Sequence, residues 1–222
     1  MEQNEILEIQ SKLGYAFKND SLLTTAFTHS SFAYTHNIKS NERLEFLGDS
    51  VLNLCTTLYL FYNFDFDEGV SSKIRAYLVS SEYVSKYIFK NGLEKFLRCG
   101  NFNPEKSTNV MGDLYEAIVG AIMLDSGLDE CKKFIYSSLQ YSKNLIEEVH
   151  IKTRDFKSEL QEYAQAKNQK LEYVLLEKTG PAHMPCFKVA VMLNGIKLAE
   201  MSAKSKKEAE NLCAKKALEV LK

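Results

Sequence analysis

The sequence has little of what secreted, zinc-binding or membrane-spanning chains need. Its five cysteines, Cys55, Cys99, Cys131, Cys186 and Cys213, are odd in number, and no two form a C-x-x-C pair. This argues against a disulfide framework and against a structural zinc site. No uninterrupted apolar run reaches membrane-spanning length, and the first residues, MEQNEILEIQ, are not basic and then apolar, as a secretion signal is. We therefore expect a cytoplasmic protein with no membrane partner.

Neither sign of charge dominates the whole chain, whose formal net charge is −1, but its two parts differ. Residues 1–150 carry 14 basic and 20 acidic side chains, whereas residues 151–222 carry 14 basic and 9 acidic ones. A basic part suits a polyanion, and an acidic part suits cations. The length of 222 residues allows one large domain, or a medium domain and a small one.

Proline is almost absent before residue 150, where Pro104 is the only one. Apolar residues recur there at spacings of three and four, which predicts helices almost throughout. From residue 155 the pattern changes to a helix, three strands and a helix; Asn194-Gly195 predicts a hairpin turn between the last two strands. We predict a mainly α domain in residues 1–148, a linker in residues 149–154, and a small α-β-β-β-α domain in residues 155–222.

The stretch NERLEFLGDSVLNL begins a long helical pattern at residue 41 with three acids. At about 100° per residue, Glu42, Glu45 and Asp49 share one face of this helix, and Phe46 lies among them rather than on the apolar side. One interpretation is a solvated face whose acids are favoured by the helix dipole. The other is a cluster of ligands.

A second stretch, VMGDLYEAIVGAIMLD, favours the cluster of ligands. It is apolar nearly all round, which is typical of a buried helix, and its only acids before Asp125 are Asp113 and Glu116, three residues apart on one face. No basic residue of this helix can pair with them, and buried carboxylates without partners are costly. Glycines at positions 48, 112 and 120 would let two helices approach closely, so that both acidic faces surround a metal ion.

Carboxylate oxygens without histidine or cysteine favour magnesium or manganese over zinc or copper. Di-iron helical proteins also use carboxylates, but they add Glu-x-x-His pairs, and neither acidic helix contains a histidine. Clustered carboxylates that hold magnesium are typical of phosphodiester hydrolysis. We therefore predict Mg²⁺ as the cofactor, with Mn²⁺ as a plausible substitute.

Three motifs resemble those of one enzyme family. NERLEFLGDSVL is similar to the signature of the ribonuclease III family, DLYEAIVGAI to its second acidic motif, and DEGVSSKIRAYLV to its EG-x-x-S-x-x-RA-x-LV block, with Glu68, Ser72 and Arg75 in the matching places. The motifs occur in the family's order and cover most of residues 5–150. The resemblance implies a mainly α endonuclease domain.

The resemblance also implies an activity and roles for individual residues. It implies a homodimeric, double-strand-specific endoribonuclease that processes rRNA and mRNA precursors and leaves 5′-phosphate and 3′-hydroxyl ends with short 3′ overhangs. The motifs assign four carboxylates to the metal and the attacking water, with Asp49 and Glu116 as catalytic residues and Glu42 and Glu68 as supporting acids. The metal-binding residues implied are Glu45, Asp49, Asp113 and Glu116. Phe46 matches the residue that this family inserts into a pocket of the partner subunit.

The C-terminal part resembles a double-stranded-RNA-binding domain through GPAH at 180–183 and KSKKEAE at 204–210. Such domains contact 2′-hydroxyls in minor grooves and phosphates across the groove between them. The RNA-binding residues implied by this resemblance are Ser158, Gln161, His183, Lys204, Lys206 and Lys207. Where some relatives have another lysine, this chain has Glu210, which we expect to weaken the phosphate contact.

Other departures from the family pattern are Ser30, Ser71 and the composition of the loop 101–109, and none of them touches a predicted metal ligand. Two further interpretations compete with the endoribonuclease. One is a non-catalytic RNA-binding or ribosome-associated protein, which should have lost at least one of the four acids. The other is a carboxylate metal enzyme that acts on small phosphate esters, which has no use for a basic C-terminal domain.

Overall fold

The structure is a computed structural model, and it describes residues 1–100, 107–181 and 184–221. Contacts between Cα atoms divide the chain into two compact units, Met1–Thr153 and Arg154–Lys222. The described part of the first unit is helical, with a short 3₁₀ turn at Glu94–Phe96. Its α-helices are α1 (Gln3–Leu13), α2 (Asp20–Ala26), α3 (Ser30–His36), α4 (Glu42–Asn63), α5 (Glu68–Leu78), α6 (Ser81–Lys90), α7 (Thr108–Ser126), α8 (Leu128–Ser138) and α9 (Lys143–Thr153).

Helix α7 is the centre of the first unit and packs against α2, α4, α6 and α8. Its sequence is apolar nearly all round, and Leu114, Ile118 and Ile122 are fully buried. A helix with no polar face has to be covered on every side. The burial of α7 decides the site, because its two acids are carried into the interior with it.

Helix α9 includes most of residues 149–154, which are predicted from the sequence to be a linker. The physical reason is that Ile146 and Val149 are buried in a second apolar cluster with Ile74 and Leu78 of α5. These contacts extend the helix to Thr153, and the division into two compact units falls after that residue.

The second unit has the predicted order of helix, three strands and helix: α10 (Phe156–Ala166), β1 (Leu171–Thr179), β2 (Cys186–Leu193), β3 (Ile196–Ala203) and α11 (Lys206–Leu221). The strands form an antiparallel sheet in the order β1-β2-β3. Asn194 and Gly195 both have positive φ angles, 51° and 80°, as a tight hairpin turn requires. Side chains of both helices and of the sheet share one core, which includes Leu160, Val191 and Cys213.

All five cysteines are free thiols. Within the described ranges, no helix combines the length and the apolar character that a membrane crossing requires.

Candidate active site

The first acidic side chains lie at the start of α4. The helix begins after Asn41, which is buried, and Glu42 and Glu45 occupy its first turn, where the dipole favours negative charge. Glu45 is half-buried, whereas Glu42 is exposed and accepts a hydrogen bond from Ser40 Oγ at 2.9 Å. The helix thus presents one of these two acids to the interior and the other to solvent.

The second pair of acids lies on α7. Asp113 and Glu116 are half-buried on a helix whose neighbouring residues, from Met111 to Ile122, are otherwise buried. Ser107 Oγ caps the helix by accepting a hydrogen bond from the N–H of Val110. The two carboxylates therefore stand on a rigid, well-packed element.

Glycines bring α4 and α7 together. A Cβ atom at Gly48 would overlap the carbonyl oxygen of Glu116, and one at Gly120 would overlap the carbonyl oxygen of Leu44. The two backbones are therefore in contact, which a larger residue at either position would prevent. Gly112, also predicted to allow close approach, faces Ser81 of α6 instead, where a Cβ atom would lie 2.7 Å from the Ser81 Cβ.

This contact brings carboxylates from both helices into one group. Glu45, Asp113 and Glu116 each offer one carboxylate oxygen, and the three oxygens lie within 4.8 Å of one another. In the part of the chain that the structure describes, no lysine or arginine forms an ion pair with any of the three. Three oxygen ligands at this separation fit a hard divalent cation.

The pKa values of all three carboxylates are raised, which means that their ionised forms are unfavourable without a cation. Burial, followed by repulsion from Asp49, Asp113 and Glu45, raises the pKa of Glu116 to about 8. Burial also raises the pKa of Asp113, and burial and neighbouring acids raise the pKa of Glu45. A bound divalent cation would relieve this repulsion and favour the ionised carboxylates.

Asp49 lies at the edge of this group rather than in it. It is exposed, and its Oδ1 accepts a hydrogen bond of 2.8 Å from Asn53 Nδ2, one turn further along α4. It is nevertheless close enough to raise the pKa values of Glu116 and Glu45. Asp49 therefore lies at the solvent-exposed edge of the three grouped carboxylates.

The structure does not bring Glu68, predicted as a supporting acid, into the group of three. Glu68 is exposed at the start of α5 and accepts a hydrogen bond from Ser72 Oγ at 3.0 Å. It lines a cavity together with Ser71, Ser72 and Arg75. Glu68 therefore lies at this cavity, whereas Glu45 lies in the acidic group.

His29 adjoins the acidic group, a relation that the sequence pattern does not reveal. Its Nδ1 accepts a hydrogen bond from the N–H of Ser31, which caps α3. Its charge lowers the pKa of Asp113 against the larger effect of burial. His29, at the start of α3, therefore interacts electrostatically with Asp113 of the acidic group.

One side of α4 exposes large apolar side chains. Phe46 is 78% exposed, Leu54 46% and Phe61 76%, and the three lie within an arc of about 80° on the helix. Phe61 also lines the cavity beside α5, whose volume is about 430 Å³. Exposed apolar stripes of this kind are typical of surfaces through which proteins associate.

In the second unit, the predicted RNA-binding side chains lie at the starts of its two helices. Ser158 and Gln161 are exposed on α10, one turn apart, and Lys204, Lys206 and Lys207 are exposed at or before the start of α11. Ser205 Oγ accepts a hydrogen bond from the N–H of Glu208 at 3.2 Å and so caps the start of α11. His183 lies outside the described residues, as do residues 101–106 of the predicted loop.

Comparisons with known proteins agree with these features. The family described as Ribonuclease-III-like matches residues 19–142, and the double-stranded RNA binding motif matches residues 156–221. Ribonuclease 3 of Carboxydothermus hydrogenoformans is 39% identical in an alignment that covers all of this chain and 98% of the relative; that of Streptococcus mutans is 40% identical over 92% of each. The chain belongs to the ribonuclease III family.

Among solved structures, the nuclease domain of ribonuclease III from Campylobacter jejuni aligns with a TM-score of 0.57 at 35% identity, covering 61% of this chain and 96% of that domain. Its description refers to a region involved in dimer formation. As a ribonuclease III with both domains, the protein is a double-strand-specific endoribonuclease. The non-catalytic alternative considered from the sequence is therefore disfavoured.

Two contacts of the proposed site residues were not predicted from the sequence, one local and one that depends on packing. Asn53 is an ordinary residue of the long helical pattern, yet it holds Asp49. Its spacing of four from Asp49 was the available signal. Lys157 and Glu210 form an ion pair of 2.6 Å across 53 residues, and no local pattern predicts such a pair.

Proposed function

We propose that this ribonuclease III is a magnesium-dependent enzyme whose metal is held by Glu45, Asp113 and Glu116, with Asp49 beside them. The observation that carries the proposal is the approach of three carboxylate oxygens, from two helices, to within 4.8 Å of one another. The raised pKa of Glu116, about 8, supports it, because burial and the neighbouring acids make an added positive charge favourable at this position. Oxygen ligands alone favour Mg²⁺, with Mn²⁺ as a substitute.

The chemistry proposed is hydrolysis of phosphodiester bonds. When bound, the metal lowers the pKa of water and neutralises phosphate charge. Water attacks phosphorus and gives up a proton, the bond from phosphorus to the 3′ oxygen breaks, and that oxygen takes up a proton. This route leaves a 5′-phosphate and a 3′-hydroxyl, and cuts in both strands would leave short 3′ overhangs, as the family resemblance implies.

The proposed catalytic residues are Asp49 and Glu116. Asp49 faces solvent and its orientation is fixed by the Asn53 amide, so it can hold an attacking water. Glu116 is one of the three grouped carboxylates, so as a ligand it would hold the metal beside the attacking water and the phosphate. Glu42 adds negative charge beside Glu45 and raises its pKa, which increases the attraction of the group for a cation. Glu68 is proposed to act at the cavity beside α5 instead.

The second unit is proposed to bind the duplex with Ser158 and Gln161 in a minor groove and with Lys204, Lys206 and Lys207 on phosphates. Exposed lysines at the start of α11 are suited to phosphate oxygens. Such contacts recognise A-form shape rather than base sequence. His183 stays a prediction for a further minor-groove contact.

We also propose that two copies associate through α4. In a two-fold dimer the same patch is used twice, so Phe46 of each subunit would enter the cavity beside α5 of the other. The exposed stripe of Phe46, Leu54 and Phe61 and the adjacent cavity of about 430 Å³ support this arrangement. Processing of rRNA and mRNA precursors in the cytoplasm is the cellular role that we propose on the family resemblance.

The direct test is cleavage of a perfect RNA duplex by the purified chain, with and without Mg²⁺. Glu116→Gln should reduce the cleavage rate by at least about 100-fold, because it removes a ligand charge that the metal requires, while duplex binding without Mg²⁺ stays unchanged. Glu147→Gln, an exposed acid on α9, is the matched control and should cleave like the wild type. Cleavage by Glu116→Gln at the wild-type rate would contradict the metal assignment.

A further inference from the structure

Glu210 has an unusual setting for an acid beside a proposed RNA-binding surface. It lies on α11, one turn after Lys206, and its side chain is only 11% exposed. Its Oε2 is 2.6 Å from Nζ of Lys157 on α10, and its Oε1 is 3.8 Å from Nζ of Lys206. A buried carboxylate is costly unless it is paired, and the two lysines provide that pairing.

The next residue connects the same two helices. Asn211 Oδ1 accepts a hydrogen bond of 3.1 Å from the N–H of Lys157, and Asn211 Nδ2 donates one of 3.2 Å to the carbonyl oxygen of Arg154. Two consecutive residues of α11 therefore hold the first turn of α10 and Arg154, two residues before that helix. Lys157 is also fixed from another side, because its Nζ lies 5.0 Å from the centre of the Tyr173 ring.

The two lysines are more accessible to solvent than the carboxylate with which they pair. The side chain of Lys157 is 45% exposed and that of Lys206 55%, compared with 11% for Glu210. A phosphate can therefore reach either ammonium group more readily than the carboxylate. The expectation drawn from the sequence is that Glu210 weakens the phosphate contact, whereas its pairing with both lysines points to a role in holding them.

We infer that Glu210 is a positioning residue for duplex recognition, which fixes α10 against the lysines at the start of α11. The inference rests on the proposed RNA-binding role of this unit. Ser158 follows Lys157 directly on α10, so the same contacts fix the residues proposed for the minor groove. Since A-form shape is read by contacts to a minor groove and to phosphates across the neighbouring groove, the spacing of the two helices determines the fit.

The test compares Glu210→Gln with Glu208→Gln in the full chain. Both variants remove one negative charge from the start of α11, but Glu208 is exposed and Glu210 is not. Affinity for a perfect RNA duplex is measured over a series of salt concentrations without divalent cations, so that no cleavage occurs. We expect Glu210→Gln to bind about three- to tenfold more weakly with a salt slope smaller by about one, and Glu208→Gln to bind as the wild type or slightly more tightly.

A purely electrostatic role gives the opposite result, because loss of a negative charge should strengthen binding to phosphate. Asn211→Ala is the second variant, since it removes the hydrogen bonds to α10 without changing any charge, and it should also weaken binding. Equal binding by Glu210→Gln and Glu208→Gln, or wild-type binding by Asn211→Ala, would overturn the inference. Failure of the wild-type chain to bind the duplex would instead overturn the proposed function.

Discussion

At the scale of single residues, the acidic group depends on how deeply each carboxylate is buried. Glu116 and Asp113 are carried inward by a helix that has no polar face, whereas Asp49 and Glu42 remain at the surface. Burial is the largest cause of the raised pKa values of Glu116, Asp113 and Glu45. The group is therefore poised to bind a cation that supplies the missing positive charge.

The pKa of Glu116 predicts an unusual dependence of stability on pH. The pKa is about 8 in the folded protein against an ordinary value of 4.5, so between these values the folded chain binds the extra proton. Stability of the metal-free protein should therefore fall as the pH rises from about 4.5 to 8. Calorimetry in a chelating buffer measures this effect. A loss of about 1 kcal/mol lowers the melting temperature of a chain of this size by about 2–4 °C, so we expect the melting temperature at pH 8 to lie below that at pH 5.5 by at least this amount.

Two comparisons isolate the contribution of Glu116 to this pH dependence. Glu116→Gln resembles the protonated acid at every pH, so its melting temperature should change less with pH than that of the wild type, whereas Glu147→Gln should follow the wild type. Mg²⁺ should stabilise the wild type more at pH 8 than at pH 5.5, because metal must displace a proton at the lower pH. Parallel curves for Glu116→Gln and the wild type would contradict the pKa argument.

The sequence allowed the convergence of Glu45, Asp113 and Glu116 to be predicted, because helical periodicity places acids on a face and an apolar helix has to be buried. It did not separate Asp49 from the other three, because exposure depends on how α4 meets α7. The proximity of His29 to Asp113 was also out of reach, since it depends on contacts between helices distant in sequence.

At the scale of elements, the contact between α4 and α7 determines the geometry of the site. Gly48 and Gly120 place two backbones in contact. Glu45 and Glu116 each lie about one turn before one of these glycines, and Asp113 lies about one turn before Glu116. A side chain at Gly48 would push α4 and α7 apart or strain the backbone of both helices. The separation of the carboxylates changes with the separation of the helices.

Gly48→Ala should therefore be destabilising and inactivating. We expect a loss of about 3 kcal/mol or more, at the upper end for an overpacked core, and loss of cleavage even in molecules that remain folded. Chemical denaturation and duplex cleavage measure the two effects.

Gly69→Ala is the matched control for this substitution. Gly69 lies in α5 at ordinary contact distance from its neighbour, 3.4 Å to Asp67 Oδ1, so the same substitution should be neutral or stabilising by up to about 1 kcal/mol. Equal effects of the two substitutions would refute the close-contact account.

Element boundaries could be predicted best where a local rule acts alone. β3 begins at Ile196, directly after the predicted Asn194-Gly195 hairpin turn, because the turn fixes the start of the strand. Helix α9 extends through most of the predicted linker. The sequence there is polar and mixed in charge, so it does not indicate that Ile146 and Val149 are buried. Tertiary packing decided that boundary.

At the scale of the whole molecule, the protein combines a helical nuclease domain with a small RNA-binding domain, the fold class predicted from the sequence and its motifs. The opposite charge balance of the two parts follows this division. The dimer proposed above can be tested at this scale by a single substitution, because the stripe on α4 is exposed in the single chain.

Phe46→Ala should weaken the dimer by at least about tenfold, because loss of a buried aromatic anchor commonly costs 2 kcal/mol or more at an interface. Sedimentation over a concentration series measures the dissociation constant. Tyr34→Ala is the matched control, since Tyr34 is 90% exposed on α3 and lies off the α4 stripe, and it should leave the dimer unchanged. A dimer as stable in Phe46→Ala as in Tyr34→Ala would exclude the α4 surface.

The most direct measurement for the central claim is an anomalous difference map from crystals of this protein soaked in Mn²⁺. The account predicts a peak about 2.0–2.3 Å from carboxylate oxygens of Glu45, Asp113 and Glu116, and no such peak in Glu116→Gln crystals treated in the same way. A wild-type map with these carboxylates ordered and no peak between them, from protein that cleaves duplex RNA in the same Mn²⁺ concentration, would contradict it.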